Sequence, residues 1–223
     1  MDNRITEDMA ALMQSHLELV IQANKTTNLT RIDSLEDGLL LHVEDSLIGL
    51  DECLSAPEGK YADLGTGGGF PGITIAIATV RPTTLVDTRR KKTVILDGIV
   101  EKLGLADQVS TYTGRIEEMA LEHPKAFSLI TARALAQLSV LLEFSSPLLK
   151  TGGHLVCYKA QVSDGEMGHA LEVQDMLGMK LISQRSVYLS DGETFRTILV
   201  FEKTARPRIK LPRPVSYAQK KPL

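Results

Sequence analysis

The sequence predicts an α/β fold, a doubly wound seven-stranded sheet with an N-terminal helical cap, and three observations carry the prediction. Short β-like runs at 60–64, 83–87, 109–113, 127–132 and 154–159 alternate with helical patterns at 71–79, 90–103 and 135–149 and a shorter one near 116–121. Strands alternating with helices argue for parallel pairing, with the crossover helices covering both faces. After a further helical pattern at 164–178, two β-like runs near 180–190 and 194–203 meet at Ser190-Asp191-Gly192-Glu193, which closes the sheet with a hairpin. The third observation is the stretch from Tyr61 to Gly72, which reads as a strand, a glycine turn and a helix start in twelve residues.

In chain order, residues 5–24 place Ile5, Met9, Leu12, Met13, His16, Leu17 and Val20 at helical spacing, so one apolar stripe must pack on a neighbour. Ser34 with Asp37 makes a capping box for a second helix expected to run through His42 to about Leu50. His42 and Asp45 read as a polar pair on the side of that helix. Cys53 to Lys60, with Pro57 and Gly59, is the expected boundary loop. The chain thus divides into a cap over 1–56, a sheet domain over 57–203 and a tail over 204–223. Gly104 is placed to end the 90–103 helix and Gly152-Gly153 the 135–149 helix, where a left-handed residue is needed.

The glycine turn is a candidate ligand cradle. Pro71 suits the first turn of a helix, where its missing N–H has no partner. Glycines before it supply φ freedom and let the backbone come against a ligand. Gly-x-Gly-x-x-Gly, the dinucleotide pattern, fails counted from Gly65, where Phe70 occupies the third position, and is met from Gly67 to Gly72. No Gly-Lys-Ser/Thr follows, so a phosphate loop is excluded. Asp-x-Gly-x-Gly-x-Gly, from Asp63 to Gly69, resembles motif I of S-adenosylmethionine-dependent methyltransferases, whose cofactor has no phosphate and tolerates a carboxylate before the turn.

Ligands of doubly wound sheets bind at the carboxyl ends of the strands. The second strand ends at Asp87, 24 residues after Asp63, where a carboxylate can accept both ribose hydroxyls of a nucleoside. The third leads to Gly114-Arg115-Ile116-Glu117, where a backbone N–H and a carboxylate can meet an adenine edge. The fourth ends in Arg133-Ala134 and the fifth in Tyr158-Lys159.

Composition bounds the rest. At 223 residues and 43% hydrophobic content, one α/β domain with an appendage is the default. The net charge of −3 is unevenly spread: residues 1–202 carry −10, whereas 203–223 carry seven Lys/Arg and no acid, which suggests a polyanion-facing tail. Pro207, Pro212, Pro214 and Pro222 predict that this tail runs extended over the surface. Two cysteines, Cys53 and Cys157, make neither a disulfide framework nor a zinc site, and no metal is expected. No apolar signal core and no run of about 18 apolar residues occurs, so a cytoplasmic protein is expected.

At this point the chain resembles a family, the small-subunit rRNA guanine-N7 methyltransferases of the RsmG or glucose-inhibited-division-B type. The resemblance runs through Asn24-Lys25…Asn28-Leu29-Thr30, His42…Asp45-Ser46, Asp63 to Gly72, Leu85-Val86-Asp87, Arg115-Ile116-Glu117-Glu118, Arg133-Ala134, Lys159 and Lys220-Lys221-Pro222-Leu223. Ala23 stands where an aromatic is usual, and Tyr217-Ala218-Gln219 replaces a usual Thr-Pro before the basic pair. The resemblance implies a Rossmann-like methyltransferase sheet, S-adenosyl-L-methionine as cofactor, and 16S rRNA or the small ribosomal subunit as partner. Gly65, Phe70, Ile116, Glu117 and Arg133 match cofactor-contact positions, and Asp63, Gly67 and Asp87 join them from the residue reading. Lys159, Arg206, Arg208, Lys220 and Lys221 are the candidate RNA contacts.

No Asn-Pro-Pro-Tyr-like stretch follows the fourth strand, and no cysteine stands there either. A ring nitrogen requires neither, so no catalytic acid or base is assigned. Two other readings stand beside this one: an NAD-type oxidoreductase using Gly67 to Gly72 and Asp87, and a non-enzymatic RNA-binding module on a methyltransferase fold.

Overall fold

The structure, a computed structural model, describes residues 3–223. Seven strands form one sheet in the order β3-β2-β1-β4-β5-β7-β6. They are β1 Lys60–Leu64, β2 Thr83–Asp87, β3 Val109–Thr113, β4 Phe127–Arg133, β5 Leu149–Lys159, β6 Met179–Tyr188 and β7 Phe195–Lys203. The first five pair in parallel, and β7 runs antiparallel between β5 and β6. The order reverses between β1 and β4, so the crevice at their carboxyl ends is the place where this architecture holds a ligand. Helices α5 Gly72–Thr79 and α6 Arg90–Lys102 join β1 to β2 and β2 to β3, while α7 Ile116–Glu122, α8 Leu138–Ser145 and α9 Asp164–Gln174 follow β3, β4 and β5.

The cap starts with α1, Glu7–Asn24. Thr6 caps it by accepting from the Met9 N–H at 3.2 Å, and Glu7 and Asp8 complement the dipole of the first turn. Its buried stripe is Met13, His16, Leu17 and Val20, of which Met13, Leu17 and Val20 share one apolar core with Ile73, Leu85 and Leu96 of the sheet side. The cap therefore covers the sheet face that carries α5 and α6. The other face is closed by a second core containing Leu138, Leu142, Met119 and Phe201.

Three expectations need correction. The helix capped by Ser34 is no single element. It begins as α2, Leu35–Gly38, widens into a π-helical turn at Leu39–Glu44, resumes as α3, Asp45–Leu47, and restarts after Gly49 as α4, Leu50–Ser55. Gly49 stands at the break, and it must be glycine because the Tyr158 hydroxyl occupies the space a Cβ would need there. Cys53 consequently lies inside α4, wholly buried, and the boundary loop is shorter than expected. Second, Gly152 and Gly153 end no helix. α8 stops at Ser145, and both glycines lie within β5, where Gly152 has φ +81° and the register against β4 shifts between Phe127 and Leu129. Here the left-handed residue serves a strand irregularity.

Third, the tail is no free extended arm. The Thr204 and Ala205 N–H groups donate to Gly178, the Arg208 N–H donates to Met176 at 2.7 Å, and Arg213 grips Glu143 through two bonds of 2.7 and 2.5 Å. A short helix α10, Tyr217–Lys220, then buries Ala218 against the second core. The prolines do prevent one continuous helix, but apolar side chains such as Ile209 and Leu211 draw the segment onto the body.

Candidate active site

The glycine turn is shaped by its backbone bonds. The Gly65 and Thr66 N–H groups both donate to Val86 of β2, at 2.9 and 3.0 Å, and the Gly69 N–H donates to Thr66. Gly65, Gly67 and Gly69 have φ of +72°, +59° and +88°. A Cβ at Gly65 would meet Leu135 at 2.8 Å, and one at Gly69 would meet Ile73 and His16 within 2.9 Å, so both conformation and space demand glycine there.

Asp63 supports this turn from beneath and does not line a cavity. It is fully buried, accepting from the Gly72 N–H at 3.1 Å and from the Thr131 hydroxyl at 2.6 Å, while Thr131 accepts from Tyr61. Burial pushes its pKa up to about 6, against the opposing pull of its hydrogen bonds. Its carboxylate is thus spent on joining β1, β4 and the start of α5.

A cavity of about 320 Å³ opens above the turn, lined by Gly65, Asp87, Lys92, Gly114, Ile116 and Leu135 among others. That size is within the range of small-molecule sites. Asp87 Oδ1 accepts from the Arg89 N–H at 2.9 Å, leaving Oδ2 for a ligand, and Ile116 supplies an apolar wall. Glu117 departs from expectation. Its side chain faces the tail and accepts from the Ser216 N–H at 2.7 Å, and it is not among the residues that line this cavity.

A second cavity, about 500 Å³, lies between the cap and the ends of β4, β5 and β7, with Leu41, His42, Asp45, Arg133, Lys159 and Arg196 in its wall. Asp45, nearly inaccessible, takes Arg133 at 2.9 Å and Arg196 at 2.8 Å. Arg133 also donates to His42 Nδ1 at 3.3 Å. Because a guanidinium can only donate, that nitrogen must carry a lone pair, and the ring proton sits on Nε2, shared with Thr30 Oγ1 at 2.8 Å. Burial first, and the Arg133 charge second, lower the His42 pKa to about 4, so this imidazole is neutral. Phe70 is packed between His42 and His16, with ring centroids 4.5 and 4.2 Å away, and anchors the cap to the turn. The two cavities meet at Ala134, which holds φ +52° and borders both.

Sequence reasoning missed Arg196 and Thr30. Thr30 lay inside a matched segment, whereas nothing local distinguishes Arg196 from an ordinary strand arginine. No group of three or more His, Cys, Asp or Glu among the described residues is arranged to hold a metal ion. No helix among them is long and apolar enough to cross a membrane.

The family profile described as GidB, rRNA small subunit methyltransferase G, matches residues 9–191. The chain belongs to this family. Its relatives include the ribosomal RNA small subunit methyltransferase G of Alkaliphilus metalliredigens, 31% identical over 222 residues that cover 98% of this chain and 92% of that protein. The protein of the same name from Lactobacillus johnsonii is 34% identical, covering 98% and 93%. Among solved structures, an O-methyltransferase from Bacillus cereus in complex with SAH superposes with a TM-score of 0.59 at 18% identity, over 85% of this chain and 91% of that one. That likeness establishes the methyltransferase fold.

Within this member of the methyltransferase G family, the candidate RNA contacts fall in three places. Lys159 lines the second cavity but is engaged by Glu166 at 2.7 Å and by the Ala136 carbonyl. Lys220 and Lys221 lie on α10 and just after it, beside the start of α7, on the edge of the sheet that carries the cavities. Arg206 and Arg208 follow the end of β7, next to Gly178 and Met176, at the opposite edge.

Proposed function

We propose that this protein transfers the methyl group of S-adenosylmethionine to N7 of a guanine in 16S rRNA, with the cofactor in the 320 Å³ cavity and the base in its neighbour. The observation that carries this reading is the meeting of the two cavities at Ala134, within a chain of the methyltransferase G family. The residues fit the cofactor. The turn is narrowed so that even a Cβ at Gly65 would collide, and the only carboxylate among the cavity's lining residues is Asp87 at the nucleoside position. No helix-start phosphate cradle is needed.

Asp87 Oδ2 would hold the ribose hydroxyls, Ile116 and the Glu117 backbone the adenine, and Gly65 and Gly67 the amino-acid end. Phe70 and Asp63 act one layer below, fixing the turn. When bound, the cofactor supplies an electrophilic methyl on a sulfonium. Guanine N7 presents an in-plane lone pair, so no residue has to remove a proton from it. The side chains instead orient the base and exclude water. Leu41 and Tyr158 give the second cavity apolar walls, and Arg133 and Arg196, sharing one carboxylate, leave a net positive charge there for acceptor oxygens of the base or a phosphate.

The test is chemical-cleavage mapping of N7-methylguanine in 16S rRNA incubated with the cofactor, with and without this protein. One new N7-methylguanine is the expected result. Binding of S-adenosylhomocysteine without any transfer to rRNA would leave an RNA-binding module, and binding of NAD in its place would restore the oxidoreductase.

A further inference from the structure

We infer that the phosphate backbone of the RNA docks on a cationic belt at the mouth of the cofactor cavity, made by Arg89, Arg90, Lys91 and Lys92, and not on the first half of the C-terminal tail. The inference rests on the rRNA reading above and adds to it the surface that holds the substrate. Four consecutive cations open α6, of which Arg89, Arg90 and Lys91 are exposed. None of the four has a carboxylate partner among the described residues, although Arg133, Lys159, Arg185, Arg196 and Arg213 are each paired with one. Cations at a helix N-terminus oppose its dipole, and the first turn of α6 carries no acid to relieve them. The arrangement weakens the helix start and gains nothing within the chain.

Its position gives it a use. Arg89 and Lys92 belong to the wall of the cofactor cavity, and Lys92 Nζ lies 3.9 Å from where a Cβ of Gly67 would be. The Leu29 carbonyl of the cap loop comes within 4.0 Å of the same point, and that loop carries the exposed Lys25 and Arg31. The belt thus flanks the mouth of the cofactor cavity and reaches the glycine turn beside the cap loop. The first half of the tail is poorly placed to hold RNA there, because Arg213 is consumed by Glu143, and Arg206 and Arg208 stand at the far edge of the sheet. With residues 1–202 at −10, a polyanion approaching elsewhere on the body meets net repulsion, so a local unpaired cluster decides where it lands.

The experiment is filter binding of 16S rRNA over a series of KCl concentrations, using the full chain, R90A/K91A, the charge-conserving R90K/K91R, and R206A/R208A. Neither Arg90 nor Lys91 lines the cavity, so S-adenosylhomocysteine affinity should be unchanged in every variant. R90A/K91A should flatten the log–log salt slope by about 1.4 to 1.8, the loss of two phosphate contacts. R90K/K91R and R206A/R208A should keep the slope. A wild-type slope in R90A/K91A, or an equal flattening in R206A/R208A, would overturn the inference. Methyl transfer by the unaltered chain is scored separately. Absence of transfer together with a flattened R90A/K91A slope would reject the proposed reaction and keep the docking surface.

Discussion

Arg133, at the end of β4, and Asp45, in the cap, form an ion pair of 2.9 Å in which the carboxylate is only 4% accessible and is shared with Arg196 at 2.8 Å. This one contact joins the cap, the parallel strands and the closing hairpin around the second cavity. Removing the carboxylate leaves two largely buried guanidinium groups without a counter-charge. Asp45→Ala should therefore cost about 3–5 kcal/mol in thermal or denaturant unfolding, the usual penalty for breaking a buried pair. Arg133→Lys should fail to restore full methyl transfer, because an ammonium cannot reach Asp45, His42 and the Leu41 carbonyl together. Wild-type turnover in Arg133→Lys would remove guanidinium geometry from the account.

Asp87 tests the cofactor cavity directly. Its Oδ2 has no hydrogen-bond partner among the described residues, so Asp87→Ala should weaken S-adenosylhomocysteine binding by about 1.5–3 kcal/mol, roughly 10- to 150-fold, while the melting temperature stays put. Titration calorimetry reads the first quantity and a thermal melt the second. Undiminished affinity would exclude Asp87 from the site.

Glu117 should behave oppositely. Its carboxylate holds the Ser216 N–H, so Glu117→Ala should release protection of residues 213–223 in hydrogen exchange and change cofactor affinity little. Truncation after Lys203 should act in the same direction and more strongly. It strips Arg213 from the 4%-exposed Glu143, a loss of about 3 kcal/mol by analogy with other buried pairs. A truncated chain that melts at the wild-type temperature would show the tail contributes no stability.

Acid should loosen the anchor between cap and turn. Burial lowers His16 to about 3 and His42 to about 4, while both bind protons near 6.5 when unfolded. Below 6.5 the unfolded chain therefore takes up protons that the folded one refuses, and stability falls with pH by about 1.4 kcal/mol per unit for each histidine. Asp63, pushed up to about 6, works the other way: the folded state binds its proton first, which returns one proton's worth of stability between about 6 and 3.8. Two histidines against one aspartate leave a net loss that approaches about 1.4 kcal/mol per pH unit from about pH 6 to 4.5. A melting temperature that is flat or rising as the pH falls from 6.5 to 5 would contradict this.

The alternation of strands and helices, the glycine turn and the carboxylate at the end of the second strand were legible in the sequence because each is written locally. A period of 2 gives way to 3.6, glycines stand where φ must be positive, and Asp87 ends a strand in the same β-α-β unit. Five parallel strands and a closing antiparallel pair followed from those signals alone. The cap was harder: a Ser34 box announces a helix start, but no local signal marks the widening at Leu39–Glu44, and glycine is required at position 49 by Tyr158, a residue far along the chain. Side-chain partners were decided by tertiary structure throughout. Asp63 turned under the loop, Glu117 turned to the tail, and Arg133 found a carboxylate 88 residues earlier in the chain. The physical reason is common to all three. A charge leaving water takes whichever partner the assembled surfaces bring within about 3 Å, and a linear sequence records which groups are available but not which of them meet.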